Sequence, residues 1–506
     1  MATAFGIHLG ASNACLSICK DGNIEVIANA AGDRVTPILI AFSDHDKVVG
    51  LPAKQGLIRN AKNTACHIKK LLGKDFADPG IQKEKQTSQC SVIEKDGRPF
   101  YQVQYMQSQK SFSPEQCSTF IFGSLLEIAK NHGDTNAQDV VISVPHNFGK
   151  KQQTAVIETA TKAGFKVMRL IHEPTSALLA YGLGQKHRHE HINAIVVRVG
   201  GSSSTVSCFS ITDGMYRLLS DVNTDDIAGD MFTELIADHF AADFQRQFKA
   251  NPKENKRAWN KLLSASETCK HTLTTLPNAH CSIDSLHEGI DFSGNIARGR
   301  MDMLSLNLLS KLQTLIDECL VASGLERSNI QKVILSGGGT KLQCVVKKIQ
   351  DIFKDAELYD SIATDEVIAF GAATQASIIL SSCEGESVLP TEELPTLTRC
   401  INCAAQGSCI EELFHTGHSV PAKAKRTYCS SQSTFRLLVT QGSDTPIEVL
   451  AKLALKDVGE GAVVEVHFSI DREGLLHISC VDEKSKAHTE VTVPTCNDKQ
   501  MNCSRS

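Results

Sequence analysis

Two apolar strands that each run into a glycine turn constrain this chain more than any other feature of it. The first is Ala4-Phe5-Gly6-Ile7-His8-Leu9-Gly10-Ala11-Ser12. The second is Ala194-Ile195-Val196-Val197-Arg198-Val199-Gly200-Gly201-Ser202-Ser203-Ser204-Thr205. Glycine has no Cβ, so such a turn lets backbone N–H groups come close to the phosphates of a nucleotide. Either turn alone is weak, because glycine turns after apolar strands are common and most bind nothing. Two copies predict two related lobes around a cleft, with the ligand at the strand ends.

The segments around the turns alternate β and α. Ile24-Glu25-Val26-Ile27-Ala28, Pro37-Ile38-Leu39-Ile40-Ala41-Phe42 and Val140-Val141-Ile142-Ser143-Val144 read as strands. Pro114 to Asn131 reads as a helix, with Ser113 as N-cap, proline at the first position and Glu115 in the first turn. Residues 230–276 read as a helical insertion, through Phe232, Leu235, Ile236 and Phe240 at helical spacing. After Ile379 the composition changes, and a stretch without periodicity that contains Pro390 and Pro395 marks a linker at 382–397. Beyond it the pattern is entirely β. Val464, Val466, Phe468 and Ile470 alternate with Glu465, His467 and Ser469, Asp471-Arg472-Glu473-Gly474 turns the chain, and Thr489 to Val493 reads as a last strand.

At 506 residues the chain exceeds one core, and roughly three domain-sized units are expected. A net charge of −5 gives no reason to propose a nucleic-acid surface, and Lys423-Ala424-Lys425-Arg426 is short enough to be a solvated strand edge. No apolar run approaches the ~20 residues of a membrane helix. Met1-Ala2-Thr3-Ala4 lacks a charged leader region and His8 breaks the first apolar stretch, so neither a secretory signal nor myristoylation is expected. The eighteen cysteines are scattered, and reduced thiols in the cytosol are the expectation. Cys400, Cys403 and Cys409 could suggest zinc, as could His187, His189 and His191. Neither set has a partner pair at finger spacing or a fixed shell around it, so no metal site is expected.

Further segments fit the two turns in order: Val144-Pro145-His146-Asn147-Phe148, Ile171-His172-Glu173-Pro174-Thr175-Ser176-Ala177, Ser336-Gly337-Gly338-Gly339-Thr340 and Asp365-Glu366-Val367-Ile368-Ala369-Phe370-Gly371. Together they resemble the seventy-kilodalton heat-shock chaperone family, clearly over residues 1 to about 381 and more weakly to about 495. The resemblance implies an α/β, two-lobed actin/hexokinase-like nucleotide-binding domain over 1–381. A small β-sandwich, similar to the family's peptide-binding domain, would follow over 398–506, without the helical lid. That truncation resembles the family's ribosome-associated member, which pairs with a zuotin-type J-protein.

Carried over position by position, the resemblance implies an ATP site. Gly10, Ala11, Ser12, Gly200, Gly201 and Ser202 would form the phosphate turns, with Lys69, Glu173 and Arg198 beside them. Glu267 and Lys270 would clamp the adenosine, although a solvated helix face is the alternative. Gly338, Gly339, Lys341 and Asp365 would lie at the base. The family's catalytic aspartates are His8 and Arg198 here, its first hydroxyl is Ala11, its third glycine is Ser202, and its closing carboxylate is Thr205. An arginine cannot hold a magnesium water shell or accept a proton, so ATP is expected to bind, with magnesium dispensable, and to stay intact.

Two functions remain open. One is a non-hydrolysing chaperone subunit that works with a J-protein, reaches the ribosome through it, and meets nascent or unfolded polypeptides. The other is an ATP-hydrolysing, peptide-cycling cytosolic chaperone. Pro390 within Val388-Leu389-Pro390 supplies no N–H to a sheet edge and favours the first. No direct nucleic-acid or membrane partner is expected.

Overall fold

The strand Thr3–Leu9, buried along nearly all its length, lies at the centre of a six-stranded sheet in the computed structural model. It pairs antiparallel with Asn13–Lys20 across the turn at Gly10, and parallel with Asp139–Val144, which pairs parallel with Lys166–His172. The strand His191–Val199 repeats this plan. It is antiparallel to Ser204–Thr212 across the turn at Gly200, and parallel to Lys332–Ser336, which is parallel to Glu357–Tyr359. Both turns close in the same way: Gly10 N–H donates to the Asn13 carbonyl at 3.0 Å, and Gly200 N–H to the Ser203 carbonyl at 2.9 Å. The paired turns thus mark a structural duplication. The structure describes residues 3–382 except 21, 133–136, 185–190 and 213. It also describes 397–495 except 398, 406–409, 415–419, 431–432, 443–447, 457, 460, 472–473, 483–484 and 486.

Each sheet carries its own core. Phe5, Ile7, Phe42, Tyr101 and Phe122 fill the first, and Val197, Phe232, Phe240, Phe244 and Phe292 fill the second. The helix Pro114–Asn131 starts at the N-cap expected of Ser113, which is half of a capping box: Ser113 accepts from Gln116 N–H while the Gln116 side chain accepts from Ser113 N–H. Such a cap contributes about 1 kcal/mol. The helix Val367–Ser382 packs against Thr3–Leu9 where side chains have no room. A Cβ on Gly6 would stand 2.2 Å from the Ala373 nitrogen, and on the side where the same helix meets the helix Glu173–Ala180, one on Gly371 would stand 1.7 Å from the Ser176 carbonyl oxygen.

Two elements differ from the sequence reading. Pro37–Phe42 is not one strand: Val35–Pro37 pairs with Asn13–Lys20, whereas Ile40–Phe42 joins a separate small sheet with Lys47–Val49 and Thr64–Ala65. Ile38 N–H donates to the Ser12 carbonyl at the changeover, so an unbroken apolar run crosses between sheets. The helical insertion is two helices, Gly229–Phe248 and Lys256–Thr275, because Lys249 turns left-handed at φ 58° and Asn255 caps the second.

The chain divides into two compact units, Met1–Thr391 and Glu392–Ser506. The second holds two four-stranded sheets, one built from 401–405, 411–414, 434–441 and 448–456, the other from 422–430, 462–470, 475–482 and 488–494. Leu437, Val439, Val464, Val466, Phe468, Leu476 and Ile478 pack between them, so the unit is a sandwich with the expected face of Ala462–Ile470 turned inward. Ala422–Ser430, which carries Lys423 and Lys425, is an edge strand. Of the linker expected at 382–397, residues 383–396 lie outside the described residues. Ser382 ends a helix and Leu397 is buried in the sandwich core.

Candidate functional site

Four side chains from four elements meet where the first unit's two sheets join. His8 and Arg198 each stand one residue before the end of their strands. Lys69 comes from the short helix Ile68–Leu71, and Glu173 opens the helix Glu173–Ala180. Glu173 is the hub. Lys69 Nζ donates to its Oε1 at 2.5 Å, Arg198 Nε lies 3.1 Å from Oε2, and His8 Nδ1 lies 3.8 Å from Oε1. His8 Nδ1 also shares a 2.9 Å hydrogen bond with Ser143 Oγ. In register His8 faces Ser143 and Arg198 faces Ser336, one such pair in each half of the duplication.

Burial sets the charges. It drives the His8 imidazole down to about 3, with Lys69 and Arg198 pushing the same way against the pull of Glu173. Burial pushes the Glu173 carboxyl up, but the Arg198 guanidinium and the Lys69 ammonium outweigh it and hold the group at about 2. Burial also lowers Lys69, and the Glu173 carboxylate opposes that. At neutral pH the cluster holds a neutral imidazole, two cations and one carboxylate, a surplus of one positive charge. Among the described residues Ser336 Oγ has no hydrogen-bond partner, and Arg198 Nε meets Glu173 as an ion pair without the alignment of a hydrogen bond. Both residues line a cavity of about 20 Å³, shared with Pro145, Thr205 and Asp221, which has room for one water.

The glycine turns converge on this cluster. A Cβ on Gly10 would meet the Asn13 carbonyl oxygen at 2.4 Å, and one on Gly201 would meet Ser12 Oγ, from the opposite turn, at 2.0 Å. A Cβ on Gly200 would wedge between the Ser203 carbonyl oxygen and the Arg198 guanidinium, at 2.9 and 3.1 Å. Ser202 is buried in the second turn, Ala11 is half-buried in the first, and Thr205 opposes Arg198 in register. The loop of Gly338, Gly339 and Lys341 packs on the second turn, since a Cβ on Gly339 would lie 2.4 Å from Val199 Cγ1. Lys341 Nζ pairs with Asp365 Oδ2 at 2.6 Å.

Glu267 and Lys270 both have partners within the protein, so neither belongs to a freely solvated helix face. Lys270 is buried, with Nζ donating to the Gly229 carbonyl at 2.9 Å and to Thr233 Oγ1 at 2.7 Å. Gly229 N–H in turn donates to the Gly200 carbonyl at 2.8 Å, so Lys270 steadies the element behind the second turn. Glu267 pairs with Lys54 Nζ at 3.2 Å, which joins the helix Leu51–Asn60 to the helix Lys256–Thr275. Lys54 and Ser143 went unnoticed in the sequence; their partners lie 213 and 135 residues away, and no local signal marks such pairs. Of the residues weighed for zinc, Cys403 Sγ contacts the Tyr428 hydroxyl at 3.3 Å and His191 Nδ1 contacts Thr212 Oγ1 at 3.0 Å. Cys409, His187 and His189 lie outside the described residues.

These residues fit a polyphosphate better than a metal. A cationic surplus stands beside the glycine turns, while Glu173, the carboxylate there, is already held by two cations.

Comparison with known proteins gives this geometry its relatives. The family model described as Hsp70 protein matches residues 4–503. Heat shock 70 kDa protein 14 of Xenopus tropicalis is 37% identical over 97% of this chain and 99% of its own length. The Bos taurus protein of that name is 38% identical with the same coverage, and the Homo sapiens protein is 38% identical over 95% of this chain and 97% of its own.

Proposed function

The chain belongs to the Hsp70 family, and from that premise we propose that it is an ATP-binding chaperone subunit that holds its nucleotide without hydrolysing it. Its fold is the family's: an actin-like two-lobed domain followed by a β-rich domain. Nucleotide binding, unfolded polypeptides and J-protein co-chaperones are general to the family. The observation that carries the finer reading is the Glu173 hub. Transfer of a phosphoryl group to water needs a hydrated cation at the phosphates and a group that orients the nucleophile. The two strand ends that face the turns offer a guanidinium, which does neither task, and an imidazole whose Nδ1 is engaged by Ser143 and whose basicity burial lowers to about 3, a weak acceptor for the nucleophile's proton.

Binding needs less. The turns at Gly10–Ser12 and Gly200–Ser202 would cradle the phosphates, and Lys69 and Arg198 would supply the positive charge that magnesium otherwise brings. One such ion pair at ~4 Å and an effective dielectric near 20 is attractive by roughly 4 kcal/mol before desolvation opposes it. Gly338, Gly339, Lys341 and Asp365 would meet the base, with Glu267 and Lys270 on the adenosine side. In this reading 1–381 is the nucleotide domain, 382–397 the linker and 398–506 the part that meets polypeptide. A zuotin-type J-protein would be the partner, linking the subunit to the ribosome and to nascent chains in the cytosol. The test is single-turnover phosphate release from radiolabelled ATP, with and without a J-protein. ATP is expected to bind and remain intact in both. Release stimulated to the rates of cycling family members would restore the ATP-hydrolysing reading.

A further inference from the structure

Cys66, His67 and Glu84 each offer one ligand atom, and the three atoms lie within 4.8 Å of one another. They come from two segments. Cys66 and His67 precede the helix Ile68–Leu71, and Glu84 lies in the helix Pro79–Thr87. Neighbouring residues in extended chain point to opposite sides. His67 instead adopts φ 55°, a left-handed conformation that costs a non-glycine residue about 1–2 kcal/mol, and its ring reaches the same spot as the Cys66 thiol. Glu84 is buried, with Oε1 at 2.6 Å from His67 Nδ1 and Oε2 at 3.9 Å from Lys70 Nζ.

The donor types select the ion. Thiol, imidazole and carboxylate together suit zinc and its borderline neighbours, whereas magnesium and calcium take oxygen ligands. The His67 side chain is 34% exposed, so a fourth position opens to solvent. We propose that Cys66, His67 and Glu84 bind one zinc-class divalent cation, with water as the fourth ligand. The Cys66 thiol proton leaves to solvent, His67 turns its Nδ1 lone pair to the metal and carries its proton on Nε2, and thiolate and carboxylate balance the cation's two charges. The 2.6 Å His67–Glu84 contact opens to the roughly 3.3 Å that two metal bonds of ~2.0 Å span in a tetrahedron. The site stands just before the helix that carries Lys69, so the ion would fix the root of that helix. It does not depend on the nucleotide reading. Sequence spacing gives no sign of it, because His67 and Glu84 are 17 residues apart and no Cys-x-x-Cys is involved.

Cobalt is the probe. Added to the purified full-length protein, one equivalent should give a thiolate-to-cobalt charge-transfer band that Cys66→Ser abolishes. Glu84→Gln should weaken binding more than about tenfold, and Cys90→Ser should not weaken it. A second measurement uses the wild-type chain alone: zinc should slow alkylation of Cys66 more than about tenfold and leave the exposed Cys429 unchanged. A band that survives Cys66→Ser, or Cys66 alkylation indifferent to zinc, would overturn the proposal.

Discussion

With Lys69 and Arg198 both on its carboxylate, Glu173 stays ionised far into acid, while His8 beside it stays neutral. The two groups respond to pH in windows that overlap only between about 4.5 and 3. His8 is lowered from 6.5 to about 3 on folding, so the unfolded chain binds the extra proton first. Stability is therefore lost as pH falls from 6.5 toward 3. Glu173 is lowered from 4.5 to about 2, so its contribution is complete above 4.5 and is lost as pH falls from there toward 2. Between pH 6.5 and 4.5 only His8 of the pair is active. His8→Gln keeps a neutral polar group beside Ser143, and should remove about 2–3 kcal/mol of the acid-induced loss over that window. Urea unfolding of wild type and variant at pH 7 and pH 4.5 measures the difference. Equal losses would mean that His8 accepts a proton in the folded protein.

At the scale of elements, the helix Val367–Ser382 fits against the strand Thr3–Leu9 and the helix Glu173–Ala180 only because glycine sits at the contacts. Gly371→Ala would put a Cβ 1.7 Å from the backbone oxygen of Ser176 in the helix Glu173–Ala180, which has no rotamer to yield, so one of the two helices must move. A loss of about 3 kcal/mol is expected on denaturant unfolding, whereas Gly338→Ala, with no atom within 4 Å, should stay within about 0.5 kcal/mol. The same contrast governs what could be read from sequence. Pro114–Asn131 was legible to the residue, because cap, proline and apolar spacing are local chemistry. The strand ends at His8 and Arg198 were legible as departures from a motif. Their convergence on Glu173 was not, because three separate segments supply that meeting. The split of Pro37–Phe42 between sheets was hidden for a related reason: an unbroken apolar run has no mark where its partner changes.

Across the whole molecule, each unit closes its own core: Phe5, Phe122, Phe232 and Phe292 belong to clusters within the first, Val464 and Phe468 to the cluster of the second. Removing residues 398–506 should therefore leave the first unit folded, with ATP affinity within about twofold of the full chain, or about 0.4 kcal/mol. Calorimetric titration of the two forms checks this, and a tenfold loss would show that one unit depends on the other. The duplicated hairpins carry a further consequence, for how such a protein can change over generations. Each glycine turn is closed by its own backbone bond, Gly10 to Asn13 and Gly200 to Ser203, and neither bond involves the side chain at position 8 or 198. Those two positions can drift while the cradle persists. A lineage can in this way change the chemistry at two strand ends while the backbone form of both turns is inherited intact.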